Sequence, residues 1–175
     1  MKVFGMIGWS GSGKTTLIKL LIPALIDRGY SVSSMKHTHH DFDMDKPGKD
    51  SYEHRMAGAK QVLVTGSKRW ALLTENFKSP EPMMDELLSR MDPVDLVLIE
   101  GFKAFSHPKM EVFRSSIGKP LLAEGDHSIA AIASDQIISE SRVPVINLND
   151  FSSVADFIIN YCKLPNREIN GSAKR

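Results

Sequence analysis

The 175 residues fit a single domain, and a 42% apolar content is enough for a core without metal or disulfide support. With 22 Lys and Arg against 21 Asp and Glu, the formal charge of +1 excludes a strongly basic binder of nucleic acid or of an anionic membrane. The lone cysteine, Cys162, cannot form an internal disulfide, so a reducing compartment, the cytoplasm, is expected. The apolar start Val3 to Trp9 is broken by Gly5 and Gly8 and is not expected to be a signal peptide. No apolar run reaches the ~20 residues of a membrane helix, and a soluble protein with no membrane or nucleic-acid partner is predicted.

In chain order, Val3 to Ile7 has the length and flanking of a buried strand, and Lys14 to Arg28 carries Leu17, Ile18, Leu21 and Leu25 at helical spacing. Gly29 stands at the position of a left-handed C-terminal cap, and Pro23 predicts a kink. Ser31 to Met35 is a second strand, followed by the polar loop Lys36 to Asp50, whose length marks it as a candidate ligand-responsive segment. Lys49 to Ala57 reads as a helix. Gln61 to Val64 and Trp70 to Leu73, joined through Gly66-Ser67-Lys68, read as an antiparallel hairpin. Met83 to Arg90 is helical, and Val94 to Ile99, the most apolar run, is a central strand. Phe102 to Phe113, with Pro108 inside it, is expected to be an extended loop or irregular hairpin.

Two short strands, Ile129 to Ala133 and Val143 to Leu148, precede a closing amphipathic helix, Phe151 to Tyr161, capped near Asn149 or Asp150. A single domain over 1–164 is predicted, with a polar, frayed tail over 165–175. Strands alternating with helices predict a mostly parallel α/β sheet with helices on both faces and an antiparallel hairpin extension. Ligands of such sheets bind beyond the carboxyl ends of the strands.

Chemistry concentrates at Gly8-Trp9-Ser10-Gly11-Ser12-Gly13-Lys14-Thr15, which satisfies the eight-residue phosphate-loop pattern between a strand and a helix. Backbone N–H groups from Gly8, Ser10, Gly11, Ser12, Gly13 and the helix start through Thr16 are placed to cradle phosphates. Lys14 would carry charge to the β- and γ-phosphates, and Thr15 would offer its hydroxyl to Mg²⁺. The apolar strand ending at Glu100 supplies the second element, with Glu100 beside the same metal or the attacking water. Asp95, at the strand's other end, is expected to face solvent.

Lys36-His37-Thr38-His39-His40-Asp41-Phe42-Asp43 is rich in metal-ligand types, yet Lys46 and Tyr52 stand where an EF-hand read from Asp41 needs glycine and glutamate. Five basic and five acidic residues between Lys36 and Lys60 make a mixed surface. Its functional reading is a switch or substrate loop, with Lys36, Lys46 or Lys49 reaching phosphates and Asp41 or Asp43 near the magnesium.

Together, GWSGSGKTT at 8–16, KHTHHDFDMDKPGKDSYEHRMAGA at 36–59, RWALLTE at 69–75 and VLIEGFK at 97–103 resemble the MobB family, molybdopterin-guanine dinucleotide biosynthesis protein B. The resemblance covers roughly residues 1 to 162. It implies a P-loop NTPase-like fold and a GTP-binding accessory protein with weak intrinsic GTPase activity. It further implies a homodimer that assists the guanylyltransferase joining GMP to molybdopterin, and possible contact with other molybdenum cofactor proteins. Carried over, the phosphate loop falls on Gly8 to Thr16, the acidic strand end on Glu100-Gly101, and the histidine-rich loop, with Lys36 and His37, on Lys36 to Asp50. Dimer contacts fall in the Phe102 to Arg114 region.

The guanine-reading Asn-Lys-x-Asp of many GTPases is absent, and Ala133-Ser134-Asp135 is the best local candidate to accept the two guanine N–H donors. A plain strand-end turn there is the alternative. A small-molecule P-loop kinase would use the same loop, but its lid needs clustered arginines, and the eight arginines are scattered along the chain.

Overall fold

A computed structural model describes residues 1–38 and 42–167. Its contacts divide the chain into two compact units, Met1–His37 with Pro93–Arg175, and Thr38–Asp92. In the first, β1 (Lys2–Ile7), β2 (Val32–Lys36), β5 (Leu96–Glu100), β6 (Lys109–Phe113), β7 (Ile129–Ser134) and β8 (Val145–Asn147) form one six-stranded sheet in the order β2-β5-β1-β6-β7-β8. Every neighbouring pair is parallel. The second holds α2 (Asp50–Met56), the antiparallel pair β3 (Gln61–Thr65) and β4 (Trp70–Thr74), and α3 (Met84–Ser89).

The alternation of side chains along each strand divides the large core by sheet face. Phe4, Met6, Leu96, Leu98, Met110 and Val112 meet α1 (Lys14–Asp27) and α4 (Phe151–Cys162) through Leu17, Leu21, Leu25, Val154 and Ile158. Phe157 and Tyr161 set their ring edges against Phe4. Asp150 caps α4, its carboxylate accepting from the Ser153 backbone at 3.0 Å. On the other face, Ile7, Ala123, Ile129 and Ile132 form a second cluster with Leu121, Leu122, Ile138 and Val143. Among the described residues no helix is long and apolar enough to cross a membrane.

Three sequence expectations change. The segment Phe102 to Phe113 is not a hairpin: its second half is β6, paired in parallel with β1 on one side and β7 on the other. Pro108 closes the preceding loop, and the alternating Lys109 and Glu111 disguise a strand that is buried over its first four residues. β6 is flanked on both sides within the sheet, by β1 over Lys109 to Glu111 and by β7 over Lys109 to Phe113.

Asp95 does not simply face solvent. It accepts from the Ser31 N–H at 2.8 Å and the Ser31 hydroxyl at 2.7 Å, and pairs with Arg167 at 2.6 Å. These partners hold its carboxyl below the usual range, with the Ser31 hydrogen bonds contributing most. The start of the predicted tail is likewise tied down, because the Pro165 carbonyl accepts from the Tyr30 hydroxyl and Arg167 also donates to the Gly29 carbonyl. Residues 168–175, the rest of that tail, lie outside the described residues.

Candidate functional site

The phosphate-loop sequence lies between β1 and α1. Gly8 has φ 149°, and a Cβ there would sit 2.4 Å from the Val112 carbonyl and 2.7 Å from the Ser12 hydroxyl, so only glycine fits. Gly13 caps α1 with a left-handed φ of 99° and no side-chain cap, which leaves the first N–H groups of the helix for another acceptor. Ser10, Gly11, Thr15 and Thr16 are exposed on this turn, whereas Ser12 is buried with its hydroxyl unpaired.

Lys14 folds over the loop and donates to the carbonyls of Gly8 at 3.1 Å and Trp9 at 3.0 Å. Partial burial lowers its pKa, opposed by the nearby Glu100 carboxylate and reinforced by Lys103 and Lys36. Thr15 donates its hydroxyl to both Glu100 oxygens, at 2.9 and 3.1 Å, and Lys36 lies 3.5 Å from the same carboxylate. Sheet register explains the meeting: Met6 and Lys36 flank Glu100 on either side, so the carboxyl ends of β1, β2 and β5 arrive together. The His37 N–H donates to the Glu100 carbonyl at 2.9 Å, and its ring packs on Phe102.

The site thus assembles Lys14, Thr15, Glu100, Lys36 and His37 from segments up to 86 positions apart. A hydroxyl and a carboxylate are hard oxygen donors that suit Mg²⁺, which takes one or two protein carboxylates and completes its shell with water and phosphate. Among the described residues no cluster of three or more His, Cys, Asp or Glu is placed to hold a metal ion. His39, His40 and Asp41 of the histidine-rich loop lie outside the described residues. Asp43 accepts from Arg55 Nη2 through both carboxylate oxygens, at 2.7 and 2.8 Å, within the second unit, and Arg55 also donates to Glu75.

Asp135 follows the end of β7. One oxygen accepts from the Ser115 N–H at 3.2 Å and the other pairs with Arg114 at 3.7 Å. Arg114 in turn donates through Nε to the Ser12 carbonyl at 3.1 Å. Sequence reading passed over this arginine because nothing local sets it apart; only its place one residue beyond β6 brings it to the loop. Trp9 was likewise missed. Its Nε1 donates to the Pro120 carbonyl at 2.9 Å, and the ammonium groups of Lys103 and Lys119 lie over its ring at 5.1 and 5.7 Å.

A parallel sheet whose first strand turns through GxxxxGKT into a helix, with a carboxylate strand end on the threonine, defines a P-loop α/β protein. The family described as Molybdopterin guanine dinucleotide synthesis protein B matches residues 3–135, and the chain belongs to that MobB family. It is 46% identical over 161 residues to the molybdopterin-guanine dinucleotide biosynthesis adapter protein of Escherichia coli K12, covering 90% of this chain and 91% of that one. The adapter protein of Haemophilus influenzae is 41% identical, covering 91% and 88%. The crystal structure of Bacillus subtilis MobB has the same fold, with a TM-score of 0.72 at 22% identity over 95% of this chain and all of that one.

Proposed function

We propose that this chain is a GTP-binding accessory protein of molybdopterin guanine dinucleotide formation, assisting the cytoplasmic guanylyltransferase that attaches GMP to molybdopterin. The observation that carries the nucleotide part is the Thr15 hydroxyl on the Glu100 carboxylate beside Lys14. These are the three groups that phosphates and their magnesium require, brought together from distant segments. Family membership and the adapter-protein relatives support the pathway.

In this reading the Gly8–Thr16 backbone binds phosphate oxygens, and Lys14 moves from its own loop carbonyls onto the β- and γ-phosphates. Thr15 and Glu100 would hold Mg²⁺, which neutralises phosphate charge. Lys36 balances the Glu100 carboxylate. Asp135 accepts the guanine N–H donors. Hydrolysis by the protein alone is slow, with an acceleration on the order of 10³–10⁵ left for a partner or for assembly as a homodimer.

The test is a calorimetric titration with non-hydrolysable GTP and ATP analogues in the presence of Mg²⁺, for the native chain and Lys14→Ala. GTP-selective binding that weakens by at least about tenfold in the variant is expected, the scale of a lost charge-assisted hydrogen bond. Equal or ATP-preferring binding would overturn the guanine assignment.

A further inference from the structure

Arg114 and Asp135 stand one residue past the ends of neighbouring strands, since Phe113 of β6 and Ser134 of β7 are register partners. Both therefore lie at the carboxyl edge of the sheet, where ligands of this architecture bind. Arg114 is fixed at one edge by its Nε on the phosphate-loop carbonyl of Ser12. Its Nε and Nη2 come within 3.5 and 3.6 Å of where a Gly13 Cβ would be. Its Nη1 faces Asp135 at 3.7 Å, and Nη2 has no hydrogen-bond acceptor among the described residues. Asp135 spends one lone pair on the Ser115 N–H and retains capacity to accept more.

We propose that Arg114 is a specificity-determining residue which, paired with Asp135, reads guanine. The inference rests on the nucleotide reading above and deepens it. Guanine presents two acceptors, O6 and N7, and beside them two donors, N1–H and the 2-amino group. A guanidinium fork next to a carboxylate is the complement of that pattern. Adenine puts an amino donor where Arg114 offers donors, and an unprotonated N1 where Asp135 needs a hydrogen. The Ser12 bond holds this reading pair at a set distance from the phosphates, so two strand ends replace the contiguous Asn-Lys-x-Asp that the chain lacks.

The experiment measures affinities of the full chain, with Mg²⁺, for non-hydrolysable analogues of GTP and ATP, for XTP, and for inorganic tripolyphosphate. It compares the native chain with Arg114→Ala, Arg114→Lys, Asp135→Asn and Lys14→Ala. In Arg114→Ala the GTP-to-ATP preference should fall by at least about tenfold, the discrimination a good arginine fork supplies. Tripolyphosphate affinity should drop by no more than about threefold, as befits a partly exposed charge. Arg114→Lys should keep tripolyphosphate binding and still lose selectivity, because a single ammonium cannot fork.

Asp135→Asn should gain affinity for XTP, whose base offers a carbonyl in place of the 2-amino group; that gain cannot come from damage to the fold. An unchanged GTP-to-ATP ratio in Arg114→Ala, or a tripolyphosphate loss as large as the GTP loss, would overturn the role of Arg114 while Lys14→Ala still upheld the phosphate loop. A native chain that binds no triphosphate, or Lys14→Ala binding like the native chain, would overturn the nucleotide reading itself.

Discussion

Gly8 is the residue on which the phosphate loop turns. Any side chain there meets the Val112 carbonyl, which is backbone of β6 and cannot move aside without breaking the sheet. Gly8→Ala should therefore abolish triphosphate binding and cost about 1–3 kcal/mol of stability, readable by denaturant titration alongside calorimetry.

His107 is a second residue whose surroundings decide its behaviour. It is buried against Gly5, and burial, reinforced by Lys109 and opposed by Asp126, pushes its pKa down to about 4. The imidazole is neutral in the folded chain at neutral pH, and the unfolded chain takes up the proton first as pH falls below about 6.5. Its contribution to stability is fully present above that pH and is lost progressively toward pH 4. His107→Leu should lose this pH dependence, so that the native minus variant stability difference falls as pH drops from about 6.5 toward 4, as measured by urea titrations between pH 4 and 7. An unchanged pH slope would contradict the neutral buried form.

At the scale of elements, β6 is held in place by polar groups that would be liabilities elsewhere. Lys109, fully buried, donates to the carbonyls of Lys103 at 3.0 Å and Phe105 at 2.5 Å and pairs with Asp126. Glu111, also fully buried, accepts from the N–H groups of Leu122 and Ala123, while burial raises its pKa against those bonds. The two side chains on one face of β6 thus pin the loops before and after it, and the second loop reaches Trp9 through Pro120. Asp95 does similar work at the amino ends of β2 and β5. Asp95→Ala removes the acceptor for Ser31 and Arg167 and should destabilise the fold by about 1–3 kcal/mol. Because its carboxyl titrates below the usual range, the native minus variant difference should hold above about pH 4 and shrink on further acidification. A difference that stays constant through that range would rule out the ionised clamp.

For the whole molecule, the proposed nucleotide binding would be linked to stability. A ligand that binds only the folded chain adds about 2.7 kcal/mol at a hundredfold excess over its Kd, enough to raise Tm by several degrees for a domain of this size. A non-hydrolysable GTP analogue with Mg²⁺ should produce that rise in the native chain and almost none in Lys14→Ala. A rise of equal size in both would place the binding elsewhere than the phosphate loop.

The phosphate loop, the apolar strand before Glu100, the hairpin and the closing helix were all legible from the letters. Each depends on local rules: glycine spacing, hydrophobic periodicity, or a capping aspartate. The family was legible for a similar reason, since the segment 36–59 and the phosphate loop are contiguous runs. Strand β6 was not, because its charged Lys109 and Glu111 become compatible with burial only through loop carbonyls and N–H groups supplied by other segments. The same holds for Asp95, whose partners are 64 and 72 positions away. Thr15 against Glu100, Lys36 beside that carboxylate, and Arg114 between Ser12 and Asp135 are likewise products of strand order and register. The sequence by itself determined the chemistry available at each position; tertiary structure alone decided which groups meet, because hydrogen bonds and ion pairs act over a few ångströms and only the folded sheet closes those distances.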